Sequence, residues 1–196
     1  MKDVYERQAG FWQRQRRRDL YEQNWLDKFL DGLPVGGRLL DLGCGMGEPI
    51  GAYFLRAGYD LVGTDYSEAM ISLARVNQPR GNWQVRDMRQ SFADGNFDGI
   101  CSWDAFFHLS IDDQRNLLPR LCSRVKAGGA ILLTVGPSEG EVGGHVGGEP
   151  VFHASLSPEE YREILGAGGF ANIEFVPEDP STAGRSVLLG RSRRVG

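Results

Sequence analysis

The sequence predicts a doubly wound α/β fold: a mostly parallel sheet of seven strands with helices on both faces and an antiparallel pair of strands toward the C-terminus. Three observations carry this reading. Short, nearly continuous apolar runs alternate with helical patterns from Arg38 to Val135, the first run ends in the glycine-rich turn "LLDLGCGMGEP", and the last two strand-like runs are joined by only a short link.

The elements follow in order. Between Asp3 and Leu33 the apolar residues Val4, Phe11, Trp12, Tyr21, Trp25, Leu26, Phe29, Leu30 and Leu33 recur at helical spacing, so one or two amphipathic helices precede the first strand. "RLLDLG" reads as a buried parallel strand, and Pro49 opens a helix that runs to about Gly58. "YDLVGTD" is the second strand, "SEAMISLARVN" a helix capped by Ser67, "NWQVRDM" the third strand and "FDGICSWD" the fourth. "IDDQRNLLPRLCSRV" is helical despite Pro119, and "GGAILLTVG" is the fifth strand, its two glycines suiting a tight turn after the helix. The stretch "PSEGEVGGHVGGEP" reads as a loop, either a flexible lid or an exposed connection. A helix begun by Ser157-Pro158 follows, then "NIEFV" and "SVLLGRS", whose short link makes them antiparallel neighbours.

Composition narrows the function classes. The 196 residues are 41% hydrophobic with a net charge of −4, which suits one globular domain and gives no electrostatic footprint for nucleic acid; the local "RQRRR" at Arg14 to Arg18 reads as a solvated helix face. Cys44, Cys101 and Cys122 are widely spaced and suggest neither a disulfide framework nor a zinc site. No apolar run approaches the roughly 18 residues of a membrane span and no leader pattern opens the chain, so a cytoplasmic protein is expected, as monomer or homodimer.

The glycine turn asks for a particular ligand. Gly43, Gly45 and Gly47 give G-x-G-x-G, whereas the dinucleotide fingerprint is G-x-G-x-x-G. Asp41 and Glu48 flank the turn, repelling a pyrophosphate and attracting a cationic amino group. Asp65 ends the second strand, the place of an acid that accepts from both ribose hydroxyls. The ligand expected carries a ribose, a positive charge and no phosphate.

With these residues in this order, the chain resembles the class I S-adenosylmethionine-dependent methyltransferases of Rossmann-like fold, small-molecule type, over about residues 38–135. The resemblance implies that the turn of Asp41, Gly43, Cys44 and Gly45 wraps the methionine part of S-adenosylmethionine and that Asp65, in "GTDYS" with Tyr66 and Ser67, binds its ribose. It places Asp87 and Met88, with Arg89 in "VRDMR", beside the adenine, and "FDGICSWDAFFHL", including Trp103, on the methyl-donor and substrate side. Tyr66 and Met88 suit either the core or an adenine sandwich. On this reading residues 1–33 are a helical cap, 34–136 the cofactor-binding core, 137–157 an active-site loop and 158–196 the C-terminal helix and strand pair of a single domain.

Methyl transfer from a sulfonium is an in-line displacement, and a hydroxyl or phenol acceptor gains from a general base. Asp104 and His108 lie just past the fourth strand, four residues apart, and would share a face if a helix begins there. His153 is a second base candidate, and the resemblance implies that Tyr5 on the first helix is a candidate for positioning the acceptor. His145 between glycine pairs reads as exposed, and His145, His153 and Glu149 lack a recognised metal-ligand spacing, so no metal is expected. The partner expected is a small-molecule methyl acceptor, with N, O or S as the methylated atom. Two alternatives stand beside this: a non-catalytic module that binds the cofactor, and, on the Rossmann sheet, an NAD-dependent oxidoreductase.

Overall fold

The computed structural model describes residues 20–146 and 149–194. Tyr5, Phe11, Trp12 and the Arg14 to Arg18 cluster lie outside them. The described elements are α1 (Gln23–Leu30), β1 (Arg38–Leu42), α2 (Ile50–Arg56), β2 (Asp60–Asp65), α3 (Glu68–Asn77), β3 (Asn82–Val85), β4 (Phe97–Ser102), a 3₁₀ turn (Phe106–His108), α4 (Ile111–Cys122), β5 (Val125–Val135), β6 (Gly140–Val146), β7 (Glu149–Ser155), α5 (Pro158–Ala167), β8 (Phe170–Asp179) and β9 (Arg185–Ser192).

Seven strands form one sheet in the order β3-β2-β1-β4-β5-β9-β8. The first five are parallel; β9 runs antiparallel to both β5 and β8, as the short link before it requires. The central strands are nearly continuous buried runs, because both faces of the sheet are covered. Leu40, Leu42, Ile131 and Leu133 pack with Leu117, Leu121, Tyr161 and Leu165 of α4 and α5. Leu39, Leu61, Ala130 and Leu132 pack with Leu26 and Phe29 of α1, Phe54 of α2 and Ile71 of α3. Burial on both faces is what stabilises the parallel strands, at about 25 cal/mol per Å² of apolar surface removed from water.

Three helices begin at serine caps: the hydroxyls of Ser67, Ser110 and Ser157 accept from the N–H groups of Met70, Asp113 and Glu160. Pro119 sits in the last turn of α4, where its missing N–H forgoes one intrahelical bond. Among the described residues no helix is long and apolar enough to cross a membrane.

Two segments differ from expectation. Gly128 and Gly129 lie inside β5, where the register against β4 shifts between Phe97 and Gly99, so they accommodate a bulge and not a turn. The glycine-rich segment read as a loop forms the antiparallel hairpin of β6 and β7, with Val142 opposite His153. Gly147-Gly148 between short runs containing Val142, Val146, Val151 and Phe152 is the local sequence signal for it.

The hairpin is tied down at its base. The Ser155 hydroxyl bonds both the N–H (3.0 Å) and the carbonyl (3.3 Å) of Gly136, while the Gln114 amide donates to the carbonyl of Ala154 at 2.8 Å. The buried Tyr161 hydroxyl donates to Gln114 Oε1 at 2.6 Å and accepts from Leu156 N–H at 3.2 Å. These bonds fix where β7 leaves the body of the protein, and thereby where His153 stands.

Candidate active site

The strand order reverses between β1 and β4, and ligands of open α/β sheets bind in the crevice outside the carboxyl ends of the strands at such a point. The glycine turn leaves β1 here. Gly43, Gly45 and Gly47 hold φ of +80°, +52° and +75°, values that favour glycine. At Gly43 a Cβ would lie 2.3 Å from Ala105 Cβ, so the turn touches the segment after β4 directly. At Gly45 a Cβ would meet nothing within 4 Å: the turn is open on that side.

The turn's own bonds restrict what it offers. The N–H groups of Gly43 and Cys44 both donate to the Thr64 carbonyl, at 2.7 and 3.0 Å. Gly45 N–H donates to Asp65 Oδ2 at 3.0 Å and Ser67 N–H to Asp65 Oδ1 at 2.9 Å. Asp65 therefore stitches the turn to the start of α3. Backbone recognition at Gly43 to Gly45 is left to carbonyl oxygens and Cα surface, which suits a donating amino group. Ser67 is fully buried with its hydroxyl engaged as the α3 cap, so its contribution is to hold Asp65 in place.

Beneath the turn, the Trp83 indole fills the space that side chains at Gly47, Gly51 and Gly63 would occupy, and its N–H donates to the Gln78 carbonyl at 2.7 Å. Asp41 is 3% exposed at the end of β1. Burial first, then the charges of Asp41 and Asp65, push the Cys44 thiol well up, and burial does the same to Cys101; neither is a thiolate at neutral pH.

On the adenine side named by the resemblance, the Arg89 guanidinium grips Asp87 through Nε (3.0 Å) and Nη2 (2.5 Å). Arg120 of α4 donates to the carbonyls of Arg89 and Gln90, both at 2.9 Å. Met88 is half-buried and its Cε reaches the space above Gly43; Tyr66 is half-buried. Trp103 is buried in the core, and its indole N–H has no hydrogen-bond partner among the described residues.

Past β4, Asp104 adopts φ +53°, a conformation that a non-glycine residue holds only when its surroundings enforce it. Its N–H donates to Thr134 Oγ1 at 2.7 Å. Its carboxylate accepts from Arg185 Nε (2.9 Å) and Nη2 (3.2 Å), and from the Tyr21 hydroxyl at 3.5 Å. The expected helical face shared by Asp104 and His108 does not form: a 3₁₀ turn spans Phe106–His108 and α4 begins only after the Ser110 cap. His108 is instead met by the hairpin.

His108 Nδ1 lies 3.1 Å from the Phe152 carbonyl, which can only accept, so Nδ1 carries the proton. The rings of Phe107, His108 and His153 form a triangle with centroids 4.7, 4.7 and 4.9 Å apart. Burial pushes the His108 imidazole down to about 4 and also lowers that of His153, so both are neutral at pH 7. Asp104, His108 and His153 thus come together. The side chains of His145 and Glu149 lie outside the described residues, and among those described no three His, Cys, Asp or Glu side chains group to hold a metal. Sequence reasoning missed Arg185 and Phe107 and took Tyr21 only as a helix residue. Arg185 lies 81 positions from Asp104 with no spacing to link them.

Residues 39–129 match the protein family described as "Methyltransferase domain". The chain is 33% identical over 116 residues to phosphoethanolamine N-methyltransferase 3 of Arabidopsis thaliana, covering 55% of this chain and 23% of that protein. It is 28% identical over 119 residues to a ubiquinone biosynthesis O-methyltransferase of Acinetobacter baumannii, covering 57% and 48%. The chain thus matches less than half the length of these relatives. Among solved structures, Burkholderia thailandensis 1,6-didemethyltoxoflavin-N1-methyltransferase, with bound 1,6-didemethyltoxoflavin and S-adenosylhomocysteine, superposes with a TM-score of 0.73 at 18% identity, over 98% of this chain and 87% of that one. Residues 39–129 thus match a methyltransferase domain, and the solved structures that the fold resembles include S-adenosylmethionine-dependent methyltransferases.

Proposed function

We propose that this protein transfers the methyl group of S-adenosylmethionine to a small-molecule acceptor held between the 3₁₀ turn and the β6–β7 hairpin. One observation carries the reading: an open glycine turn, stitched to the carboxylate of Asp65, abuts Ala105 of the acceptor-side segment at the point where strand order reverses. The residues fit the cofactor. Space beside Gly45 admits a ligand, the Asp65 carboxylate stands at the end of β2 against that turn, and Met88 offers an apolar surface above Gly43.

When bound, S-adenosylmethionine supplies a methyl group activated by attachment to a positively charged sulfur. Asp65 holds the ribose hydroxyls by accepting from them. The segment from Trp103 to His108 and the hairpin wall off the acceptor from water, which keeps the nucleophile aligned. His153 or His108, both neutral, takes the acceptor's proton, and the negative charge of Asp104 favours the imidazolium that forms. Tyr5, proposed to help position the acceptor, lies outside the described residues.

Calorimetric titration with S-adenosylhomocysteine and, separately, NAD tests the cofactor. Micromolar binding of the former alone, lost by tenfold or more in Asp65→Ala, is expected. NAD binding overturns the reading in favour of an oxidoreductase, and cofactor binding with no turnover across an acceptor screen moves it to a non-catalytic module.

A further inference from the structure

Arg185 stands at the start of β9, directly after a turn in which Ala183 and Gly184 take φ of +55° and +80°. The turn aims it past the carboxyl end of β5 at Asp104, where two guanidinium nitrogens meet two carboxylate oxygens. A bidentate pair of this kind has directional as well as electrostatic strength. The guanidinium also feels the buried carboxylate of Glu22. It is therefore committed to acids of the protein and not offered to an incoming anion.

The ring triangle lies beside this pair. His153 feels both charges, with opposite sign, from Asp104 and from Arg185. The walls around it are the flat, uncharged faces and edges of Phe107 and His108. A carboxylate acceptor must compete with Asp104 for Arg185, and an ammonium acceptor must compete with Arg185 for Asp104. Either exchange leaves one charge of the protein without its partner in a half-buried place, which opposes binding. A neutral ring that packs against the three rings and donates one O–H or N–H disturbs neither.

Resting on the methyltransferase reading above, we propose that Arg185 determines acceptor specificity: by neutralising Asp104 beside the Phe107–His108–His153 ring triangle, it selects an uncharged, ring-bearing acceptor with an O–H or N–H group over carboxylate and ammonium acceptors. On transfer, the acceptor oxygen or nitrogen bonds to the methyl carbon while that carbon's bond to sulfur breaks, its electron pair staying on sulfur. The acceptor's proton passes to an imidazole nitrogen, so the acceptor leaves neutral.

The test measures binding of three probes of one skeleton, 2-naphthol, 2-naphthoate and 2-(aminomethyl)naphthalene, at pH 7.5 to protein saturated with S-adenosylhomocysteine. Wild type is expected to bind the naphthol at least about tenfold more tightly than either charged probe. Arg185→Gln should shift the ratio of ammonium to naphthol affinity about tenfold or more toward the ammonium, and Asp104→Asn combined with Arg185→Gln should abolish that shift. Equal binding of the three, no measurable binding of any, a charged probe preferred by wild type, or an unchanged ratio in Arg185→Gln overturns the proposal; so does an ammonium preference surviving in the double variant. Should either variant fail to fold, the wild-type order decides alone. Saturation by S-adenosylhomocysteine is measured first: its failure removes the methyltransferase reading, whereas normal saturation with the wrong probe order removes only the role of Arg185.

Discussion

His108 shows how burial converts an ordinary side chain into a pH-dependent element of stability. Its imidazole is pushed from 6.5 down to about 4 by desolvation, which outweighs the bond to the Phe152 carbonyl. Between those values the unfolded chain holds a proton that the folded chain lacks, so stability is nearly complete above pH 6.5 and is lost as pH falls toward 4. Wild type should lose about 2 kcal/mol between pH 7 and pH 5 that His108→Gln does not lose, read from denaturant unfolding at the two pH values. His153, half-buried in the same ring cluster, is the complementary case. With an acceptor in hand, His153→Ala should lower kcat by about 10²-fold while leaving S-adenosylhomocysteine affinity within about twofold; an unchanged kcat removes it as the proton acceptor.

At the scale of elements, both walls of the crevice depend on buried side chains that touch no ligand. Trp83 of β3 props the glycine turn from below, because its indole fits only where Gly47, Gly51 and Gly63 leave room. Trp83→Ala should destabilise the protein by about 3–5 kcal/mol and weaken S-adenosylhomocysteine binding as the turn loses its floor, measured by thermal unfolding and calorimetry. The hairpin depends on Tyr161 of α5 in the same way. Tyr161→Phe removes the hydroxyl shared by Gln114, Ser155 and Leu156 N–H, leaving buried partners unpaired at a cost of about 1–3 kcal/mol.

Across the whole molecule, stability is unevenly spread. The central strands are covered on both faces, whereas among the described residues β6 and β7 pair with each other alone, and a two-stranded sheet has little stability of its own. Native-state hydrogen exchange should therefore show the amides of Gly140 to Gly143 opening at a lower free energy than those of Leu40 or Leu132. Exchange of the hairpin at the same free energy as β1 and β5 would show that it opens only with global unfolding.

Much of this was legible along the chain because the causes are local. The apolar runs of β1 to β5 and the serine caps act through neighbours within a few residues or through a period that the chain displays, and the glycines of the turn and Asp65 at the end of β2 are marked by their place at strand ends. The hairpin went unread because its glycines weaken the apolar alternation that marks a strand, leaving only Gly147-Gly148 as a signal. Ser67 was legible as a cap, but that its hydroxyl is fully occupied there needed the hydrogen bonds. The pairing of Asp104 with Arg185, the meeting of His108 with His153 and the neutrality of both imidazoles join segments tens of residues apart. They follow from packing and desolvation, which have no period along a sequence and exist only once the strand ends, the 3₁₀ turn and the hairpin have come together.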